Sequence, residues 1–158
     1  AQVDRFMLKV VIDYPTLEEE KQIVRAHVKS SFVQPTPVID TARIIKAREL
    51  VKQVYVDERI EQYVTDLVFA TRVPEKYGLS KIKDYIAFSA GPRASINLAL
   101  AARACAFIKR RGYVVPEDVR EVAADVLRHR IGLSYEAEAA NVKAEDIIRE
   151  LINKVEVP

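Results

Sequence analysis

Apolar and polar positions succeed one another along this chain in a pattern that predicts one short strand followed by a series of helices. Residues 6–12, Phe-Met-Leu-Lys-Val-Val-Ile, form a short apolar run closed by Tyr14-Pro15. Its length and β-branched content predict a buried strand. No other segment reads as its partner, and a lone strand is marginal in water, so its sheet is expected in a part of the protein upstream of Ala1. Thr16-Leu-Glu-Glu19 has the form of a capping box and predicts a helix with Leu17, Val24 and Val28 on one face. Gln34-Pro35-Thr36-Pro37 then interrupts, because the residue before each proline is pushed out of the helical region. This is the best boundary in the sequence, dividing residues 1–36 from 37–158.

Beyond it, Asp40 or Thr41 can cap a helix aligning Ile44, Ala47, Val51 and Val54. Asp57 can cap another that carries Ile60, Tyr63, Val64 and Leu67. Residues 72–84 are polar, contain Pro74 and Gly78, and predict a loop; residues 85–88 can be extended. A long helix is predicted over 92–111. It is apolar nearly all round, at Ile96, Leu98, Leu100, Ala104, Cys105, Phe107 and Ile108, which predicts a central place in a bundle. Lys109-Arg110-Arg111 followed by Gly112 reads as its C-terminal ending, so the basic triplet is assigned to capping and solvation. Pro116-Glu-Asp-Val119 opens the next helix with proline first and acids in the first turn, and buries Val119, Val122, Ala123 and Val126. Residues 128–133 can be extended, and a last helix carries Ile147, Ile148, Leu151 and Ile152.

Composition changes this picture little. The 158 residues are 49% hydrophobic and 30% charged, which describes a folded globular chain. A net charge of +2 with interspersed signs is too mild to argue for nucleic acid. The single cysteine, Cys105, rules out an internal disulfide framework and suits a reducing, cytoplasmic setting. No apolar run approaches the roughly 18 residues that span a bilayer. The chain opens without methionine and reads as a segment of a longer protein.

Most catalytic chemistries find no residues here. There is no phosphate-binding G-x-x-x-x-G-K-[ST] loop, and no acidic cluster follows a strand to hold Mg²⁺. Cys105, His27 and His129 lack zinc spacing, and Cys105 reads as a small core residue. His129, between Arg128 and Arg130, reads as a surface or helix-end residue. Two arginines stand out. Arg5 precedes the predicted strand, and Arg93 lies in the first turn of the long helix, within Ser89-Ala-Gly-Pro-Arg93-Ala-Ser-Ile-Asn97. The dipole already places positive charge at a helix start, so a guanidinium there makes an anion site suited to phosphate. The alternative is a structural pairing of Arg93 with a nearby carboxylate.

Four motifs in order then carry a resemblance. Ala1-Gln-Val-Asp-Arg-Phe-Met-Leu-Lys-Val is similar to the A-Q-x-D-R-F segment at the last core strand of MoxR-type AAA+ ATPases. Gly91-Pro-Arg-Ala-Ser and the alanine-rich helix resemble the sensor-2 helix of their lid. Tyr113-Val-Val-Pro-Glu-Asp-Val119, and then Val126-Leu-Arg-His-Arg-Ile131 with Leu133-Ser-Tyr-Glu-Ala137, follow in family order. The resemblance covers essentially the whole chain. It implies a mainly α fold, a helical lid bundle over 37–158 preceded by one strand from the edge of an α/β core over 1–36. It implies Arg5 as an arginine finger acting in trans and Arg93 as the sensor-2 contact to ATP phosphate, in cis or in trans. It further implies ATP and Mg²⁺ in the parent protein, a ring of neighbouring subunits, a hexamer by analogy, and chaperone-like remodelling of partners such as von Willebrand factor A domain proteins. The segment alone, without a phosphate loop, is expected to bind no nucleotide tightly and to be inactive. Where this chain has Gly91, family members often have serine; the lost hydroxyl loosens the turn but leaves the arginine in place. The competing readings are a helical nucleic-acid-binding module, resting on Lys109-Arg110-Arg111, and a purely structural interaction module.

Overall fold

The computed structural model describes residues 2–29 and 34–158; Ala1 of the opening motif lies outside the described residues. Helix α1, Leu17–Val28, starts at the capping box, with the Thr16 hydroxyl bonded to the Glu19 N–H and the Glu19 carboxylate bonded to the Thr16 N–H. Helices α2, Thr41–Lys52, and α3, Glu58–Ala70, start at Asp40 and Asp57, whose carboxylates accept from backbone N–H groups of Arg43 and Arg59. Each cap satisfies a first-turn donor that has no intrahelical partner.

The core occupies the chain from Val54 onward. Helix α4, Pro92–Ile108, lies against α2, α3 and α5, Pro116–Leu127. Ala94, Leu98, Ala101, Ala102 and Ala106 form its buried stripe, and the small side chains let α5 approach closely. Helices α6, Tyr135–Ala139, and α7, Ala144–Lys154, complete the bundle, α7 burying Ile147, Ile148 and Leu151. Two short antiparallel strands, β1 over Ile86–Phe88 and β2 over Gly132–Leu133, pair Ile86 with Leu133 and Phe88 with Gly132. A bridge between Tyr55 and Tyr113 ties the end of α2 to the link between α4 and α5.

Four expectations are corrected in detail. The strand predicted over 6–12 does not form among the described residues; its side chains are exposed, because an extended segment becomes a strand only when another edge pairs with it. Residues 72–84 are not a plain loop but hold 3₁₀ turns at Pro74–Tyr77 and Ser80–Tyr85, joined at Gly78, whose φ of 69° suits glycine. Helix α4 ends at Ile108, and the left-handed residue after it is Arg110 with φ 59°, not Gly112. Nor is α4 apolar against partners all round: Ile96, Leu100 and Ile108 face outward.

The basic triplet is also more than capping and solvation. Arg111 grips Asp118 with both terminal nitrogens, Lys109 reaches Asp118 and Glu121, and the Val115 N–H donates to Asp118 at 3.0 Å. Asp118 is fully buried. Burial pushes its carboxyl up, but Arg111, the Val115 N–H and Lys109 outweigh this and hold it below the usual aspartate value. Lys109 and Arg111 therefore lock the turn between α4 and α5.

Candidate functional site

The β1–β2 pairing decides where the chemistry-bearing residues lie. It sets residues 89–91, which lead into α4, beside residues 128–131, which leave α5. The turn before α4 is held from below: the Thr71 hydroxyl accepts from the Ala90 N–H at 3.1 Å, and Arg72 Nε donates to the Ala90 carbonyl at 2.9 Å. Arg72 also stacks on the Phe69 ring, 4.8 Å from its centroid. Pro92 occupies the first turn of α4 and Gly91 precedes it with no side-chain cap. Arg93 thus projects from a helix start whose backbone donors no capping side chain takes up.

The N-terminal segment lies across this end of the bundle. Val3–Arg5 form a single 3₁₀ turn. Asp4 stands between two arginines: Arg93 Nη1 donates to Oδ2 at 3.1 Å and Arg130 Nε to Oδ1 at 3.1 Å. Burial pushes the Asp4 carboxyl up, yet the two guanidinium bonds prevail and hold it below the usual aspartate value. Arg128 donates to the Lys9 carbonyl and to Asp125, each at 2.7 Å, with Glu145 3.0 Å from its Nε. The His129 Nε2–H donates to the Phe6 carbonyl at 3.0 Å, and its Nδ1 is buried without a hydrogen-bond partner. A proton on Nδ1 would have no acceptor, so the neutral ring is favoured. Burial pushes the imidazole pKa below its usual value; the Phe6 carbonyl opposes this, while Arg130 and Lys9 add to it. An open cleft of about 640 Å³ is lined here by Asp4, Lys9, Ser89, Arg128, His129 and Arg130, among others.

Both arginines singled out in the sequence are exposed. Arg93 is 58% exposed at the side chain despite its pair with Asp4, so an anion can reach it. Arg5 bonds Gln2 Oε1 within its own turn. Asp4 is the neighbour of Arg5 and the partner of Arg93, and so brings the Arg5 turn to the start of α4. The pairing of Arg93 with a carboxylate, considered as the structural alternative, is present. Sequence reasoning missed Asp4, Arg128 and Arg130 as site residues; it read His129 as a surface or helix-end residue, and His129 does lie in the turn that ends α5. The signal lay in the Asp4 and Arg128-His-Arg130 positions of the quoted motifs, but their partners in this site, between residues 4–9 and 128–130, are more than a hundred residues apart. Among the described residues no group of three His, Cys, Asp or Glu is arranged to hold a metal, and no helix is long and apolar enough to cross a membrane.

A family model described as the AAA lid domain matches residues 80–151. The chain is 39% identical over 158 residues to Chaperone MoxR1 of Mycobacterium tuberculosis, covering 100% of this chain and 42% of that protein. It is 32% identical over 144 residues to Protein MoxR of Paracoccus denitrificans, covering 83% of this chain and 42% of that one. A crystal structure of a protein described as a candidate ATPase, from Cytophaga hutchinsonii, superposes with a TM-score of 0.93 at 40% identity, over 99% of this chain and 48% of that chain. The chain thus spans less than half the length of each of these relatives.

Proposed function

Since this chain belongs to the MoxR-type AAA+ proteins and carries their lid domain, we propose that it closes the nucleotide site of a larger ATP-hydrolysing protein. Residues 1–36 end the ATPase core and residues 37–158 form the lid. Arg93 is the sensor-2 contact to the ATP phosphates. Arg5 is the arginine finger, directed at the ATP of a neighbouring subunit in a ring, a hexamer by analogy.

The observation that carries this reading is the placement of Asp4. It bonds Arg93 and adjoins Arg5, so two accessible guanidinium groups stand at one end of the molecule, one of them at a helix N-terminus. That donor set fits a phosphate: the guanidinium is always charged and its fork matches phosphate oxygens. ATP supplies the transferable phosphoryl group, and Mg²⁺ would be held by the core outside these residues. An arginine supplied from a neighbour stabilises charge that develops in the transition state, worth roughly 10³–10⁵ in rate in GTPases. A finger acting in trans makes hydrolysis depend on assembly. A phosphate contact on the lid makes lid position depend on nucleotide state. Exposed apolar side chains over residues 6–28, Phe6, Val10, Ile12, Leu17 and Val28 among them, support packing of this stretch against further protein.

The whole protein then couples hydrolysis to chaperone-like remodelling in the cytoplasm, with partners such as von Willebrand factor A domain proteins. Against the nucleic-acid reading, Lys109 and Arg111 are already engaged by Asp118 and Glu121. In the whole protein, Arg5→Ala and Arg93→Ala are each expected to lower ATP turnover at least ~10-fold while circular dichroism and melting temperature stay unchanged. Wild-type turnover in a folded variant would remove the corresponding role.

A further inference from the structure

Arginine has five N–H donors in a rigid fork, and burying one demands an acceptor for each. The Arg130 side chain is 1% exposed. Its Nε donates to Asp4 Oδ1 at 3.1 Å. Nη1 donates to the Met7 carbonyl at 3.2 Å and to the Val126 carbonyl. Nη2 donates to the Asp4 carbonyl at 3.0 Å and to the Phe6 carbonyl at 2.5 Å. Every donor is used. The acceptors other than Val126 lie on residues 4, 6 and 7, which bracket Arg5 on both sides.

Arg93 also reaches Asp4, and His129 and Arg128 reach the carbonyls of Phe6 and Lys9, but Arg130 makes the largest number of bonds to the segment that carries Arg5. The Val3–Arg5 turn buries none of its residues, and residues 6–12 join no ladder. A three-residue 3₁₀ turn does not hold its own shape. Arg130 joins it to the end of α5, through the Val126 carbonyl, with bonds from a charged side chain that is shielded from water.

We propose that Arg130 is the positioning residue for Arg5: it grips the backbone on either side and so fixes the direction in which the finger leaves the turn. This rests on the reading of Arg5 as the finger. Arg130 bonds the backbone at residues 4, 6 and 7 and the Asp4 carboxylate, and so acts on Arg5 through the chain on either side of it. The geometry depends on the fork, because a lysine brings three donors from one nitrogen and cannot span carbonyls of residues 4, 6 and 7 together. A finger displaced by an ångström loses most of its effect on the reacting phosphate, whereas binding of ATP, which precedes that contact, is little changed.

The test uses the assembled whole protein and a double-mutant cycle between Arg130→Lys and Arg5→Ala, with enough enzyme to resolve residual rates. Arg130→Lys keeps the charge and is expected to lower kcat about 10-fold with the KM for ATP within about 2-fold, and with ring assembly intact by light scattering. In the Arg5→Ala background it is expected to lower kcat no further. An unchanged kcat in Arg130→Lys, or a loss that adds fully to that of Arg5→Ala, would overturn the proposal. If Arg130→Lys fails to assemble, Arg130→Gln, which leaves the Asp4–Arg93 pair in place but cannot span the carbonyls of residues 4, 6 and 7 together, is read in the same cycle against the same outcomes. Wild-type turnover in Arg5→Ala overturns the finger reading itself; a loss there with intact Arg130→Lys overturns the positioning role alone.

Discussion

At the scale of single residues, arginine–carboxylate pairs do most of the organising, and their burial sets what each is worth. Asp118 is fully buried and answers Arg111, Lys109 and the Val115 N–H. Asp118→Ala is expected to destabilise the protein by about 3 kcal/mol, the lower end for breaking a buried pair because Arg111 keeps some contact with solvent, as read by urea unfolding. The pH dependence follows from direction. The folded carboxyl lies below its ordinary 3.8, so its stabilisation is complete above that value and fades as pH falls through the folded value. Asp118→Asn is expected to flatten the acid limb of stability against pH. Asp4 shifts the same way, but it is partly exposed, so solvent screening makes its share smaller. The sequence placed Asp118 in a first helical turn, which is correct, yet could not mark it as buried. Nothing local distinguishes a solvated first-turn acid from one met by an arginine of the preceding link.

At the scale of elements, caps and prolines wrote the helix starts into the sequence. Thr16, Asp40 and Asp57 each accept a first-turn N–H, and Pro92 and Pro116 open α4 and α5. Helix ends were less legible. Gly112 looked like the stop of α4, but the chain turns left-handed at Arg110, because the Arg111 N–H returns to the Ala106 carbonyl and its side chain is drawn to Asp118. A non-glycine residue at positive φ carries a local strain. Arg110→Gly is therefore expected to raise stability by about 0.5–1 kcal/mol, visible as a higher melting temperature with unchanged secondary structure. The strand predicted over 6–12 failed for a different reason. Its apolar pattern is real, but a strand is a relation between two edges, and among the described residues this one meets arginine and histidine side chains and one backbone carbonyl beyond the N-terminal segment, that of Asp125, bonded by the Lys9 N–H at 2.8 Å.

At the scale of the whole molecule, the end of the bundle near α4 collects Arg93, Asp4, Arg130, His129 and Arg128 from positions separated by most of the chain. That grouping makes the N-terminal turn and the helical bundle one mechanical unit, so a change at Arg93 reaches Asp4 and Arg5's turn directly. If Arg5 works across a subunit boundary, activity lost in one kind of subunit can be restored by another. Subunits carrying Arg5→Ala, mixed with subunits disabled at the phosphate loop, are expected to regain turnover that neither has alone, measured as phosphate release across mixing ratios. A rate that never exceeds the sum of the two parents would place Arg5 outside the neighbouring site.

The sequence by itself determined the helical character, the starts of α1 to α5, the stripe of α3, the break around Pro35 and Pro37, and the unusual setting of Arg93. These depend on periodicity, capping chemistry and the fixed φ of proline, all of which act within a few residues. Tertiary structure decided what local patterns cannot carry. It paired Phe88 with Gly132, thereby bringing Arg130 to the start of α4; it buried Asp118; and it gave every donor of Arg130 an acceptor. The physical reason is one of range. A cap or a helical stripe is satisfied by its neighbours in sequence, whereas a buried charge is stable only where folding supplies the opposite charge and the hydrogen-bond partners from far along the chain.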